Sequence, residues 1–369
     1  MDERVLCERL ITYDTSTADG ISSAAGFVKG WLEARDIDVH TETNNGLPVL
    51  AATVGAADGP AIVFHGHVDV VPGAAGQFEP RLDGDRLYGR GAYDMKGGLA
   101  AMMCATRDLA AQDRVKVHFV CVCDEESEEE QNRGSDFAVR ALGYTGDFAI
   151  TGEPTDLQIG VQAKGVLLLR IEVRGRAAHG STPWLGDNAV LKAMDVFRAI
   201  ESLPFGRESS ELFDRPSINL GRVAGGDVPN KVPDGCVIWV DIRYLPGQDP
   251  DAILAEVAKL PDIEVRTMFR RDPVIVSRSN PYVVLLADAV AAGGGAERIS
   301  VGRDGASDII SWLEAGVPGV EFGPEGAGHH GPEEWVSVSS LERYRMALVE
   351  FVHKVGERRG QDAPQLRVA

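Results

Sequence analysis

The sequence predicts an α/β fold: a mixed, mostly parallel sheet flanked by helices, interrupted by an inserted ferredoxin-like α+β domain. Three observations lead there. Short apolar runs alternate with helical patterns through the first ~160 residues, the signature of a largely parallel sheet covered by helices. From Lys164 to Asp272 the rhythm changes to β-α-β-β-α-β, the order of the split ferredoxin-like unit. Beyond Asp272 helices and a short strand resume. The expected domains are therefore 1–163 with 273–369, and an insertion over 164–272.

Each element has its own reason. Leu6 to Tyr13 and Ser22 to Arg35 read as helices, and Val49 to Val54 and Ala61 to Gly66 as strands. Gly97 to Ala111, rich in Ala and Met, reads as a helix with a buried face. Val115 to Cys123 and Asp147 to Thr151 are strands again. In the insertion, Leu167, Leu169, Ile171 and Val173 alternate with Leu168, Arg170, Glu172 and Arg174, which makes a half-exposed strand. Asn188 to Glu201 is a helix with Ala189, Ala193, Val196, Phe197 and Ile200 on one face and Asp187 as its N-cap. Strands follow at Ser217 to Val223 and Val237 to Leu245, a helix at Asp249 to Leu260, and a closing strand at Ile263 to Phe269. Helices at Pro281 to Ala292, Ser307 to Ala315 and Leu341 to Glu357 surround a short strand at Val320 to Phe322. The tail from Arg358 is polar and expected to be loose.

Composition narrows the function. The 369 residues are 44% hydrophobic and 25% charged, ordinary for a soluble globular chain. A net charge of −19 disfavours nucleic acid and anionic membranes as partners. No stretch approaches the ~20 apolar residues of a membrane helix. The charged start Met1-Asp2-Glu3-Arg4, with no signal-peptide core behind it, gives the expectation of a cytoplasmic protein. Five cysteines, odd in number and without CxxC spacing, read as buried, reduced thiols.

The chemistry lies where strands end. His67 and Asp69 follow Ala61-Ile62-Val63-Phe64, Glu125 and Glu126 follow Val115 to Cys123, and Glu153 follows Phe148-Ala149-Ile150. His330 comes soon after Val320-Glu321-Phe322, and Asp94 sits in the glycine-rich loop Gly89 to Gly98. Open α/β sheets bind ligands at the carboxyl ends of their strands. Imidazoles and carboxylates gathered there suit zinc, so the chain reads as a two-metal hydrolase. Taken singly, each residue has a plainer reading. An HxD pair is usually structural, Asp94 can open a helix, Glu153 can cap a turn, and His330 can be an exposed loop residue. His65 also lies near the strand end; His67 is preferred because Asp69, two residues on, can orient its ring. Glu128 to Glu130 read as a solvated face. The five positions gain weight jointly, because each falls at a matching strand end.

Five segments carry a resemblance that extends from Gly66 to Val336. They are Gly66-His67-Val68-Asp69-Val70-Val71-Pro72, Gly89 to Gly98, Asp124-Glu125-Glu126, Gly152-Glu153-Pro154 and His330-Gly331-Pro332-Glu333-Glu334. The chain resembles the dinuclear zinc metallopeptidases that include acetylornithine deacetylase, succinyl-diaminopimelate desuccinylase, aminoacylases and glutamate carboxypeptidase. The resemblance implies two Zn²⁺ per subunit, with Co²⁺ or Mn²⁺ as substitutes. Asp94 would bridge them, His67 and Glu153 would complete one shell, and Glu126 and His330 the other. Asp69 would orient His67, and Glu125 would be the general base that takes a proton from the metal-bound water, leaving a hydroxide held between the ions. The insertion would be a lid and dimerisation domain. Within it, His179 in Gly175 to Pro183 resembles the lid histidine that stabilises the oxyanion from the partner subunit of a homodimer. Read alone, His179 is an ordinary loop residue. Asn230 and Arg243 match substrate-binding positions, and Ser307, in Gly305-Ala306-Ser307-Asp308, matches a substrate-side loop. Arg243 can grip a carboxylate through two hydrogen bonds, or simply pair with Asp241 on its own strand face.

The resemblance implies a deacylase that cleaves the amide of N-acyl amino acids, as acetylornithine deacetylase does. A metallo-exopeptidase or dipeptidase acting on short peptides, or a desuccinylase, is the alternative. The stretch Gly180 to Ala189 departs from the Tyr-Pro-His-like sequence of the desuccinylase branch and is closer to deacetylase and carboxypeptidase members. A rival of another class, a metal-binding protein without catalysis, requires a lost ligand or base, and every expected position is intact.

Overall fold

The computed structural model describes residues 2–126, 133–293 and 301–359. The acidic run Glu128 to Glu130 and the tail beyond residue 359 lie outside the described residues. The chain divides into two compact units. One comprises Met1–Val161, Val276–Val301 and Asp308–Ala369, the other Gln162–Ile275 and Gly302–Ser307.

The chain begins with helices α1 (Asp2–Ile11) and α2 (Ala18–Glu33), then strands β1 (Val39–Asn44), β2 (Leu47–Gly55) and β3 (Ala61–His67). Two short strands, β4 (Arg81–Asp83) and β5 (Arg86–Tyr88), precede α3 (Gly97–Asp108), β6 (Lys116–Val122), α4 (Gly134–Arg140), β7 (Phe148–Thr151) and β8 (Gly160–Ala163). Next come β9 (Gly165–Arg174), α5 (Ala189–Glu201), β10 (Ser217–Gly225), β11 (Gly235–Tyr244), α6 (Pro250–Val257), β12 (Ile263–Arg271) and β13 (Val274–Ile275). The remainder is α7 (Pro281–Ala292), β14 (Val301–Arg303), α8 (Ile310–Glu314), β15 (Gly319–Glu321), β16 (Gly326–Ala327), β17 (Trp335–Ser337) and α9 (Val338–Arg359).

In the first unit the sheet runs β1-β2-β6-β3-β7-β15-β8. Its centre is parallel: β3 pairs with β6 and β7, and β7 with β15. The flanks, β1-β2, β2-β6 and β15-β8, are antiparallel, so the sheet is mixed as expected. Parallel neighbours end along one edge, and the segments leaving β3, β6 and β7 therefore arrive together. β7 and β15 are buried throughout, and β3 at every residue after Ala61, as strands covered on both faces must be. The polar exceptions among these buried residues are His65, His67, Thr151 and Glu321, and unpaired polar groups there are costly. Helix α3 is buried from Gly97 through Thr106 and packs against α1 and α9. Gly98 lets α3 approach the segment that leaves β7, because a Cβ there would lie 2.4 Å from the Gly152 carbonyl oxygen. A small sheet β16-β17-β5-β4 was not expected; strands of two or three residues carry no readable periodicity.

The second unit holds the sheet β10-β11-β9-β12, antiparallel throughout. Its elements follow in the order β9-α5-β10-β11-α6-β12, which is the ferredoxin-like pattern. Leu167, Leu169, Ile171 and Val173 of β9 join Ile238, Val240 and Ile242 of β11 beneath Ala193, Phe197 and Ile200 of α5. One expectation is corrected here. The N-cap of α5 is Asn188, whose side chain accepts from Val190 N (3.0 Å) and Leu191 N (3.3 Å). Asp187 instead exchanges backbone hydrogen bonds with Arg176 and pairs with Lys192.

All five cysteines are buried and free. Among the described residues no helix is long and apolar enough to cross a membrane.

Candidate metal centre

The parallel strand ends deliver the expected side chains to one place. His67 is the last residue of β3, Glu125 and Glu126 lie just past β6, and Glu153 just past β7. His67 Nε2 lies 3.2 Å from Asp94 Oδ1 and 3.4 Å from Glu153 Oε1. His330 Nε2 lies 3.2 Å from Asp94 Oδ2 and 2.8 Å from Glu126 Oε1. The two oxygens of Asp94 thus face different ligand sets. His67, Asp94 and Glu126 also gather within 4.8 Å, so the sets overlap at Asp94. These separations fit a cation. Ligand atoms ~2.0–2.1 Å from a tetrahedral zinc are about 3.3 Å from one another.

Asp69 ties the sets together. Its carbonyl oxygen lies 3.0 Å from His67 Nδ1, and its Oδ2 accepts from Glu126 N at 2.7 Å. With Nδ1 donating to Asp69, Nε2 is the ring atom left to face Asp94 and Glu153. His65, by contrast, turns away from the ligand sets. Its Nδ1 lies 2.7 Å from Thr151 Oγ1, its Nε2 3.7 Å from Asp308 Oδ2, and its ring packs 4.8 Å from that of Trp312.

Glu125 contacts Arg133, whose Nη1 is 3.4 Å from Glu125 Oε1 and 3.5 Å from Asp308 Oδ1. Loss of water raises the Glu125 carboxyl well above the usual range. Asp308 and Glu153 add to this, while His67 and Arg133 oppose it. Burial, then Asp94, pushes Glu153 to about 7. Burial resists protonation of His67, but Asp69, Asp94 and Glu153 outweigh it and raise the imidazole well above its ordinary value. Asp94, whose burial alone would raise it, is held far below by His329, His330 and His67. Hydrogen bonds that His330 donates to Asp94 and then to Glu126 lift its imidazole to about 10. The raised imidazoles of His67 and His330 report the carboxylates gathered around them, a charge arrangement that suits a divalent cation.

The loop bearing Asp94 is built from the far end of the chain. Buried Glu334 accepts from Arg90 Nη1 (2.8 Å) and Gly91 N (2.9 Å) on one oxygen, and from Tyr93 N and Asp94 N (3.0 Å each) on the other. Arg90 also donates to the His330 carbonyl at 3.1 Å. Gly91 sits at φ 78°, and the Asp94–Met95 peptide is cis. Glu334 was visible only as part of a motif; its role depends on partners some 240 residues away. The sequence also missed His329, whose Nε2 pairs with Asp94 Oδ2, and the pair Arg133 and Asp308. In the loop Gly305 to Asp308, Asp308 meets Arg133, and Ser307 is buried.

In the second unit, the loop carrying His179 is pinned to the loop carrying Asn230. His179 bridges Lys231, and Gly180 N donates to the Asn230 carbonyl at 2.7 Å. His179 Nδ1 accepts from Ser181 N (3.2 Å) and lies 2.8 Å from Ser181 Oγ. That leaves Nε2–H as a donor on an exposed ring. Arg243 lies on β11 with its Nε and Nη2 3.1 and 3.0 Å from Asp241 Oδ2, the plainer of its two expected arrangements.

The model for peptidase family M20/M25/M40 matches residues 63–354. A succinyl-diaminopimelate desuccinylase from Methylorubrum populi is 29% identical over 322 residues, covering 80% of this chain and 82% of its own. Carboxypeptidase G2 from a Pseudomonas species is 25% identical over 371 residues, covering 95% and 88%. A tripeptidase from Staphylococcus aureus shares the fold with a TM-score of 0.79 at 21% identity, covering 96% of this chain and 98% of the other.

Proposed function

The chain belongs to peptidase family M20/M25/M40 and is a metal-dependent amide hydrolase; from that premise we propose that it deacylates N-acyl amino acids, as acetylornithine deacetylase does, with two zinc ions. The observation that carries the reading is Asp94, whose two oxygens face separate ligand sets beside Glu125. His67 and Glu153 would hold one ion, Glu126 and His330 the other, and Asp94 both. Zinc suits the mixed imidazole and carboxylate donors, and cobalt or manganese are the expected substitutes. Such a pair, when bound, polarises the scissile carbonyl and lowers the pKa of water toward ~7.

The chain's own residues do the rest. Glu125, with its raised affinity for protons, takes a proton from the attacking water and delivers it to the leaving amine. Asp69 fixes the His67 ring. We assign His179, given from a partner subunit, the donation of Nε2–H to the oxyanion. Arg243, Asn230 and Ser307 are assigned to binding the substrate. A homodimer through the second unit is supported by β10, a sheet edge with no buried residue, and by exposed Trp184, Leu185 and Leu191.

A metallo-exopeptidase or a desuccinylase is the second reading, favoured by similarity to carboxypeptidase G2 over nearly the whole chain and by the desuccinylase relatives. A panel of N-acetyl amino acids, dipeptides, C-terminal glutamyl peptides and succinyl-diaminopimelate, assayed on zinc-loaded enzyme, separates the readings. Turnover of the peptides or of the succinyl substrate alone refutes deacylation of N-acetyl amino acids. Glu125→Gln is expected to keep its metal and lose turnover by ~10²–10⁴-fold. Wild-type turnover in that variant rules out Glu125 as the base.

A further inference from the structure

His329 stands beside the expected ligand His330. In an extended chain two consecutive side chains point opposite ways. Here they do not. His330 has φ 57°, and Gly331 N donates back to the Gly328 carbonyl at 2.6 Å, so the loop turns tightly and sets both rings on one side. Nε2 of His329 and Nε2 of His330 approach the same oxygen, Asp94 Oδ2. The rings meet edge to face with centroids 4.2 Å apart at 77°. Asp94, His329 and His330 each offer a ligand atom, and these lie within 4.8 Å of one another.

Two arrangements would satisfy those atoms. Both rings can carry Nε2–H and donate to one carboxylate oxygen, or both can present a lone pair to a cation that also touches that oxygen. The carboxylates of Asp94, Glu126 and Glu153 around these rings favour the cation. Building on the dinuclear reading above, we infer that His329 is a further ligand of the ion held by Asp94 Oδ2, Glu126 and His330. That ion then has two imidazole and two carboxylate donors instead of one and two. Imidazole favours zinc and cobalt, whereas carboxylate and carbonyl oxygens suit manganese and magnesium. His329 therefore sets metal preference at the second position. Its side chain is 45% exposed and sits on a loop, so the ring can be removed with little burden on the fold.

The test titrates the metal-free full-length protein with Zn²⁺ alone and with Mn²⁺ alone, against a competing chelator. Wild type, His329→Ala and His330→Ala are compared, together with the visible spectra of their Co²⁺ forms. Wild type is expected to take up two ions. In His329→Ala the weaker Zn²⁺ site should lose affinity by about tenfold or more, at least what losing an outer-shell partner costs. Its Mn²⁺ affinity should fall less, and the Co²⁺ spectrum should change. Two ions bound with wild-type Zn²⁺ affinity and an unchanged Co²⁺ spectrum overturn the assignment of His329 and leave the dinuclear reading standing. Fewer than two ions in wild type overturn the dinuclear reading, and the assignment with it.

Discussion

Replacing Glu334 by Gln tests how the Asp94 loop is held. The change is isosteric and removes one charge. One carboxylate oxygen serves Arg90 Nη1 and Gly91 N, the other Tyr93 N and Asp94 N. A Gln amide must turn its NH₂ toward one of these pairs, so two donors then face a donor. The Arg90 guanidinium, 4% exposed, is also left against a neutral group. Breaking one side of a buried ion pair costs ~3–5 kcal/mol, and an orphaned buried N–H costs ~1–3 kcal/mol. These costs overlap, so at least about 3 kcal/mol is expected. The neighbouring Glu333 is a matched control. Its side chain is 77% exposed and 3.5 Å from Arg81, so Glu333→Gln should cost no more than ~1 kcal/mol. Urea unfolding of the metal-free proteins gives both numbers without linkage to metal binding. Glu334→Gln should also retain less zinc, because Asp94 N loses its anchor. Equal stabilities for the two variants, within ~1 kcal/mol of wild type, would refute the claim that this carboxylate organises the loop.

Two further outcomes follow from the same geometry. Gly91→Ala adds a Cβ 2.6 Å from Val70 Cγ1 at φ 78°; strain and overpacking together should cost ~2 kcal/mol or more, and a wild-type melting temperature would contradict this. Burial holds His65 near pH 4 against its ordinary 6.5, so between those values the unfolded chain binds a proton that the folded chain refuses. Stability should therefore fall as pH drops from 6.5 to 4, by up to about 3 kcal/mol from this group. His65→Gln should show a shallower fall in urea unfolding of the metal-free protein, and an identical slope would disprove the assignment.

Much of this was legible in the sequence, for identifiable reasons. The central strands are short and apolar, and parallel strands share an edge, so polar residues just past Phe64, Cys123 and Ile150 had to converge. The lid-like sheet was legible because β9 alternates strictly and α5 carries one apolar stripe. What stayed hidden depends on distance in sequence or on fine local geometry. Nothing near Glu334 reveals four donors some 240 residues upstream. Asp187 and Asn188 are both good caps, and only the backbone path selects Asn188. His329 could not be told apart from a solvated loop residue without the turn at His330. Arg243 had two partners open to it, and proximity on one strand face gave it Asp241.

The bond between Glu334 and the segment from Arg90 to Asp94 has a consequence for biosynthesis. A ribosome releases the chain from its amino end, so Asp94 emerges long before Glu334 and His330. Until those residues appear, a nascent chain holds an incomplete and unbraced set of donors. A prematurely terminated product that stops before His330 keeps His67, Asp94 and Glu153 but lacks both the imidazole that meets Asp94 Oδ2 and Glu126 and the carboxylate that braces the Asp94 loop.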